Sequence, residues 1–156
     1  MAWPKVSIIW VNYNSSKIMS IALESLEAIS NFDYPADKYE LIVVDNGSTD
    51  GSYEEIRNFL KRKSSLKKKL IRLNKNLGFT GGNNVGFNAR DKESKYVVLL
   101  NNDAIPLQNS LTLMVEYAEQ FNVDSLNGVI LKYDSCLLYT SPSPRDLSTS
   151  RMPSSA

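Results

Sequence analysis

The sequence holds a single cysteine and no long apolar run. One cysteine cannot form an intrachain disulfide, which fits a reducing, cytoplasmic setting. No stretch approaches the roughly 20 apolar residues of a membrane span. The start, MAWPKVSIIW, lacks the basic region, apolar core and cleavage site of a secretion signal. An excess of one charge is missing too: 18 Lys and Arg stand against 17 Asp and Glu. No global basic field therefore argues for nucleic acid or an anionic membrane as partner. The local exception, KRKSSLKKKL at 61–70, reads first as a solvated helix end and turn, and second as a membrane-surface or diphosphate-steering patch. Neither G-x-G-x-x-G nor G-x-x-x-x-G-K-[ST] occurs, which weakens dinucleotide and P-loop readings.

Composition changes abruptly at Cys136. The stretch CLLYTSPSPRDLSTSRMPSSA is rich in Ser and Pro and shows no helical or strand period, as a disordered linker would. A second reading is stranger. Back-translated through permitted codons, Cys136–Asp146 and Ser150–Ala156 resemble the two ends of an adapter used in preparing short-read DNA libraries. They stand in one frame and in order, with Leu147–Thr149 at the variable barcode. The expectation is a partial domain over 1–135 followed by a non-native, disordered tail over 136–156. On that reading the native chain is cut short near Ser135, and Cys136 carries no redox information.

What is present is an alternation. KVSIIWV (5–11), ELIVV (40–44), KLIRL (69–73) and YVVLL (96–100) are brief and rich in β-branched residues, as buried strands are, and GVILKY (128–133) starts another. Between them, KIMSIALESLEAI sets Ile18, Ala22, Leu26 and Ile29 on one helical face. SYEEIRNFL opens with Ser52 and Glu55 at capping-box spacing, followed by Ile56, Phe59 and Leu60. SLTLMVEYAEQF places Met114, Tyr117, Ala118 and Phe121 at helical spacing, as core packing. The order predicts an α/β three-layer sandwich: a mostly parallel sheet, Rossmann-like, with right-handed crossovers and helices on both faces.

Every polar cluster follows a strand: NYNS, DNGSTDGS, NKNLGFTGGNN and NNDAIP. In open parallel sheets, ligands bind outside the carboxyl ends of the strands, so the four clusters predict one polar site. Gly78, Gly81, Gly82 and Gly86 either serve tight turns or let backbone N–H groups approach an anion such as a diphosphate. Asp45 either caps its turn through the Gly47 or Ser48 amide or accepts a hydrogen bond from a uracil or thymine N–H while Tyr13 packs on the ring. Asp103, a carboxylate at a strand end with no cation nearby in sequence, suits a hard metal ion. Mg²⁺ or Mn²⁺ takes one or two protein carboxylates and completes its shell with water and phosphate oxygens. Asn101 and Asn102 can orient those waters or bind ribose.

Four stretches, VSIIWVNYNS (6–15), LIVVDNGSTDGS (41–52), NLGFTGGNNVG (76–86) and VVLLNNDAIP (97–106), resemble the family 2 nucleotide-sugar glycosyltransferases of the GT-A fold, in order and spacing. VNYN and GGNN resemble the rhamnosyltransferase-like subgroup. The resemblance implies that Tyr13 and Asp45 hold a pyrimidine base and that Gly82 and Asn84 lie near ribose or diphosphate. It also implies that Asn101–Asp103 is the D-x-D element, with Asn101 replacing the first carboxylate and Asp103 left to hold the metal. The implied reaction is inverting transfer from a UDP- or dTDP-sugar to a hydroxyl of a saccharide or lipid-linked acceptor, in the cytoplasm or at the inner membrane face.

The family's catalytic base lies well after the D-x-D element. Here only Glu116, Glu119, Asp124 and Asp134 follow Asp103, and the two glutamates read as solvent-facing. The expectation is that the base, the acceptor site and any membrane attachment belong to a missing part, so that this fragment binds donor without completing transfer. A non-catalytic nucleotide-binding module is the alternative. A sugar nucleotidyltransferase ranks below it, because VNYNSSK has no Gly- and Arg-rich loop after the first strand.

Overall fold

The computed structural model describes residues 3–131 and 137–139. The four strands expected from the β-branched runs form: β1 (Val6–Asn12), β2 (Tyr39–Asp45), β3 (Lys68–Arg72) and β4 (Tyr96–Asn101). They make one parallel sheet in the order β3-β2-β1-β4. The chain winds from β1 outward to β3 and then crosses back to place β4 on the other side of β1. The register sets Asn12 beside Asp45 and Val11 beside Asn101, so the polar strand ends finish at one level.

The central strands are buried because both faces are covered. Trp10 on β1 donates its indole N–H to Ser25 of α1 (Met19–Ser30) at 3.1 Å. On the opposite face, α3 (Gly78–Ala89) packs so tightly that a Cβ on Gly86 would lie 2.4 Å from Ile9 Cγ2 and one on Gly82 2.9 Å from Val11 Cγ1. Alternate β1 residues therefore face different helices, as a strand's period of two requires. Fully burying each Ile or Leu of β1 and β2 contributes about 2 kcal/mol.

Four local expectations change. In α1, Met19 rather than Ile18 joins Ala22, Leu26 and Ile29 in the core, because a short 3₁₀ turn over Ser16–Ile18 shifts the face. The capping box of α2 (Ser52–Lys61) does not form. Gly51, with φ of +87°, precedes the helix, and Asp50 accepts the Ser52 N–H at 3.1 Å. In α4 (Ser110–Phe121) the buried residues are Leu111, Val115 and Ala118, whereas Tyr117 and Phe121 are exposed and pair with each other at 4.5 Å. The fourth concerns YVVLL: β4 is an edge strand and only half-covered, with Leu99 57% exposed. β3, at the other edge, is partly exposed as well.

Two compact units divide the chain, Met1–Thr112 and Leu113–Ala156. In the second, β5 (Ile130–Leu131) pairs antiparallel with β6 (Leu137–Tyr139), a strand in a stretch whose sequence showed no such period. The expected boundary after Ser135, and Asp134 itself, lie outside the described residues. Among the described residues no helix is long and apolar enough to cross a membrane.

The basic stretch works at the amino ends of the strands. Lys63 pairs with Glu27 at 2.6 Å, Lys67 with Asp91 at 3.1 Å, and Lys69 lies 3.3 Å from Glu40. This is the end of the sheet away from the polar clusters, so the diphosphate-steering alternative loses its geometric basis. Glu40 is buried, and one carboxylate oxygen accepts from the Ser7 hydroxyl and the Asp91 N–H. The other accepts no hydrogen bond and faces Lys69 and Lys67. Burial alone would raise this carboxyl, but the donors and Lys69 together hold it below its ordinary value.

Asp91 is lowered from 3.8 to about 2, by the Glu93 N–H and then by the ammonium groups of Lys67 and Lys5. A depressed carboxyl stabilises fully above its unfolded value and loses that contribution as pH falls through its folded value. Folding stability should therefore decline from about pH 4 to about pH 2. Asp91→Asn should flatten that decline, checked by urea denaturation across the range. An equally steep decline in the variant would exclude Asp91 as its source.

Candidate nucleotide-binding site

In NNDAIP a strand runs out into amides and a carboxylate, and the geometry of the strand ends gives the reason. Most polar side chains at the carboxyl ends of the strands bind one another, and a few are left facing out.

Asn12 is the hub. It is fully buried, and its Nδ2 reaches Asp45 Oδ1 at 2.9 Å, Ser48 Oγ at 3.1 Å and Ser52 Oγ at 3.1 Å. Its Oδ1 accepts from the Ser15 hydroxyl and lies 3.5 Å from Asn102 Nδ2. The loops after β1 and β2 are further stitched by Asn14 N–H to Ser48 Oγ at 3.0 Å, Thr49 N–H to Asn14 Oδ1 at 2.9 Å and Ser16 N–H to Asp50 Oδ2 at 2.8 Å. Asn14 holds φ of +46°, a left-handed conformation asparagine tolerates. Burial opposes the charge on Asp50, yet the Ser52 hydroxyl and the Ser16 and Ser52 amides bring its carboxyl far below the ordinary range.

Asn46 ties the second loop to the third. Its Nδ2 donates to Asn76 Oδ1 at 2.9 Å and Gly78 O at 3.0 Å, and its Oδ1 accepts the Leu77 N–H at 2.9 Å. Gly47, at φ +80°, lies against the Lys75 backbone, where a Cβ would meet carbonyl carbon at 2.7 Å. A side chain there is excluded on both counts.

Asp45 is 1% exposed. Its Oδ1 accepts from Asn12, its Oδ2 accepts the Ser48 N–H at 3.1 Å, and Arg72 Nε lies 4.0 Å away. The turn-capping alternative is thus realised. Arg72, which the sequence reading passed over, also reaches Glu54 at 3.3 Å and stacks 4.1 Å from the Tyr53 ring centroid. Asp45 and Asn102 both touch Asn12, and Tyr13, 46% exposed, is its chain neighbour. Gly82 is buried, and close packing on Val11 and Asn46 accounts for it. Asn84 is exposed, two residues from both Gly82 and Gly86 and hence on the helix side turned from the sheet.

Asn101 and Asp103 are exposed, and Asn102 is half-buried. A turn closed by the Ala104 N–H to Asn101 O at 3.2 Å carries them. The Asp103 carboxylate has no hydrogen bond or ion pair among the described residues. Those residues contain no cluster of three His, Cys, Asp or Glu able to hold a metal, and the chain has no histidine. What fits is a hard cation bound through one carboxylate, neighbouring amide oxygens, water and the ligand's own oxygens.

Among known families, the model of glycosyl transferase family 2 matches residues 7–154, and the chain belongs to that family. Among its relatives is the glycosyltransferase AglE of Haloferax volcanii, 30% identical over 125 residues, which are 80% of this chain and 39% of AglE. The mannosyltransferase PcManGT of Pyrobaculum calidifontis, solved with GDP-Man and Mn²⁺, superposes with a TM-score of 0.67 at 28% identity. The match covers 74% of this chain and 32% of PcManGT. TarS of S. aureus, residues 1–349 with UDP-GlcNAc, shares the fold at a TM-score of 0.62 and 24% identity, over 76% of this chain and 32% of that one. The chain thus spans about two-fifths of its relative AglE, and its α/β fold is that of GT-A glycosyltransferases.

Proposed function

We propose that this chain is the donor-binding part of a glycosyltransferase that moves a sugar from a nucleotide-sugar to an acceptor hydroxyl with inversion. The observation that carries the reading is the exposed Asp103 carboxylate at the carboxyl edge of the sheet, without a partner among the described residues, beside loops otherwise locked together. PcManGT, with its nucleotide-sugar and Mn²⁺, supports it. Asp103 would hold Mg²⁺ or Mn²⁺, with Asn101 and Asn102 positioning water on the ion. When bound, the metal neutralises the diphosphate as it leaves. Tyr13 offers an exposed face to the base. Asp45, fixed by Asn12 and the Ser48 N–H, offers the unused lone pairs of its carboxylate to the base edge. No residue of this chain is assigned as the general base for the acceptor.

The base is chosen between two chemistries. Tyr13 and Asp45 favour uracil or thymine by the family resemblance, whereas PcManGT was solved with a guanine nucleotide. Calorimetry of UDP, dTDP, GDP and ADP with Mn²⁺ should give the tightest binding for UDP or dTDP. Tightest binding by GDP or ADP would remove the Tyr13/Asp45 assignment while keeping the donor site. No binding by any of the four would remove the site.

A further inference from the structure

The loop that presents Asp103 is held from beneath by a chain of hydrogen bonds running through the core. Ser25 is fully buried on the α1 face that meets β1. Its hydroxyl receives the Trp10 indole N–H at 3.1 Å and donates to the Ala104 carbonyl at 2.6 Å. The direction is forced: indole nitrogen can only donate, a carbonyl can only accept, and a hydroxyl has one hydrogen to give. A helical serine ordinarily turns its hydrogen back to the carbonyl four residues earlier, which Ser30 does toward Leu26. Ser25 instead spends it on a loop 79 residues away.

That carbonyl belongs to the residue after Asp103. On the other side, Asn102 reaches back toward Asn12 at 3.5 Å, and the Ala104 N–H closes the turn onto Asn101. Asp103 thus sits between tethered neighbours, while its own carboxylate is bonded to nothing among the described residues. From this geometry we infer that Ser25, oriented by Trp10, is a positioning residue that fixes the backbone presenting Asp103 to the metal–diphosphate group. The inference rests on the proposed role of Asp103. Groups hydrogen-bonded directly to a metal ligand typically matter about 10- to 100-fold in metal affinity, and Ser25 acts one residue further out, on the Ala104 carbonyl.

The test is Mn²⁺ affinity, read from the electron paramagnetic resonance of free Mn²⁺ in the presence of whichever of UDP and GDP binds tighter. It is paired with amide hydrogen exchange at Ala104 in the metal-free chain. Ser25→Ala should weaken Mn²⁺ about tenfold and speed Ala104 exchange, with β1 and β2 amides unchanged. Ser25→Thr, which keeps the hydroxyl, should restore both. Should the alanine variant fail to fold, Ser25→Cys, near in shape and a much weaker donor, takes its place. Normal Mn²⁺ affinity and normal Ala104 exchange in Ser25→Ala, with binding lost in Asp103→Ala, would overturn the positioning role alone. Unchanged Mn²⁺ affinity in Asp103→Ala would overturn the metal assignment and this inference with it.

Discussion

Asp103→Ala should abolish the gain in nucleotide affinity that Mn²⁺ confers, while leaving folding stability within about 0.5 kcal/mol. The two halves of this expectation have separate grounds. Asp103 is exposed and makes no hydrogen bond or ion pair among the described residues, so removing it breaks nothing that holds the fold. Among the described residues no cluster of three His, Cys, Asp or Glu could hold the ion in its place. Calorimetry of UDP with and without Mn²⁺ reads the difference: the wild-type chain should bind at least about tenfold tighter with metal, since losing one hydrogen bond to a metal ligand already reaches that size. The variant should bind equally in both. Asp103→Asn, which keeps shape and loses charge, should behave like the alanine variant.

Asn12→Ala should have the opposite character, a large loss of stability. The Asn12 amide nitrogen lies within hydrogen-bond distance of Asp45, Ser48 and Ser52, and its oxygen accepts from Ser15. Truncation leaves a fully buried carboxylate short of a donor, and unsatisfied buried groups cost about 1–3 kcal/mol each, more when charged. A loss of about 3 kcal/mol in urea denaturation is expected. Ser15→Ala, which removes one donor and leaves the Asp45 contacts intact, should cost nearer 1 kcal/mol. Equal, small losses in both variants would show that Asn12 is not the hub its contacts suggest.

These two residues also mark what could be read from sequence. The strands were legible because runs such as LIVV and IIWV, bounded by polar clusters, fit only short buried strands. Their parallel order followed from the helices between them, and the convergence of the clusters followed from that. The edges of the sheet were not legible: YVVLL looks as buried as LIVV, and only the order β3-β2-β1-β4 leaves Leu99 exposed. The helix faces failed where a single turn of 3₁₀ geometry or an aromatic pair on the surface shifted the stripe, as at Met19 and Tyr117.

Within the site, Tyr13, Asn101 and Asp103 are exposed, and Asp45 and Asn102 both reach Asn12. The stitching was hidden. Asn12, Asn14 and Asn46 carry the same side-chain chemistry as a ligand-binding amide, and nothing local separates an asparagine that binds a neighbour from one that binds a substrate. Gly82 and Gly86 were equally ambiguous, until their distances to Val11 and Ile9 made them packing residues. Ser25 left a weaker signal: a small polar residue on the apolar face of a helix, four positions before Ile29 and one before Leu26, has to find a partner when buried.

The central claim is that a metal bound at Asp103 joins the nucleotide diphosphate to the carboxyl edge of this sheet. The most direct measurement is a crystal of the chain soaked with UDP and MnCl₂ and examined by anomalous scattering. A manganese peak about 2.1 Å from an Asp103 carboxylate oxygen, a spacing normal for oxygen ligands of small divalent ions, with the diphosphate on its far side, is the predicted result. Manganese or nucleotide bound elsewhere, with Asp103 facing solvent alone, would contradict it.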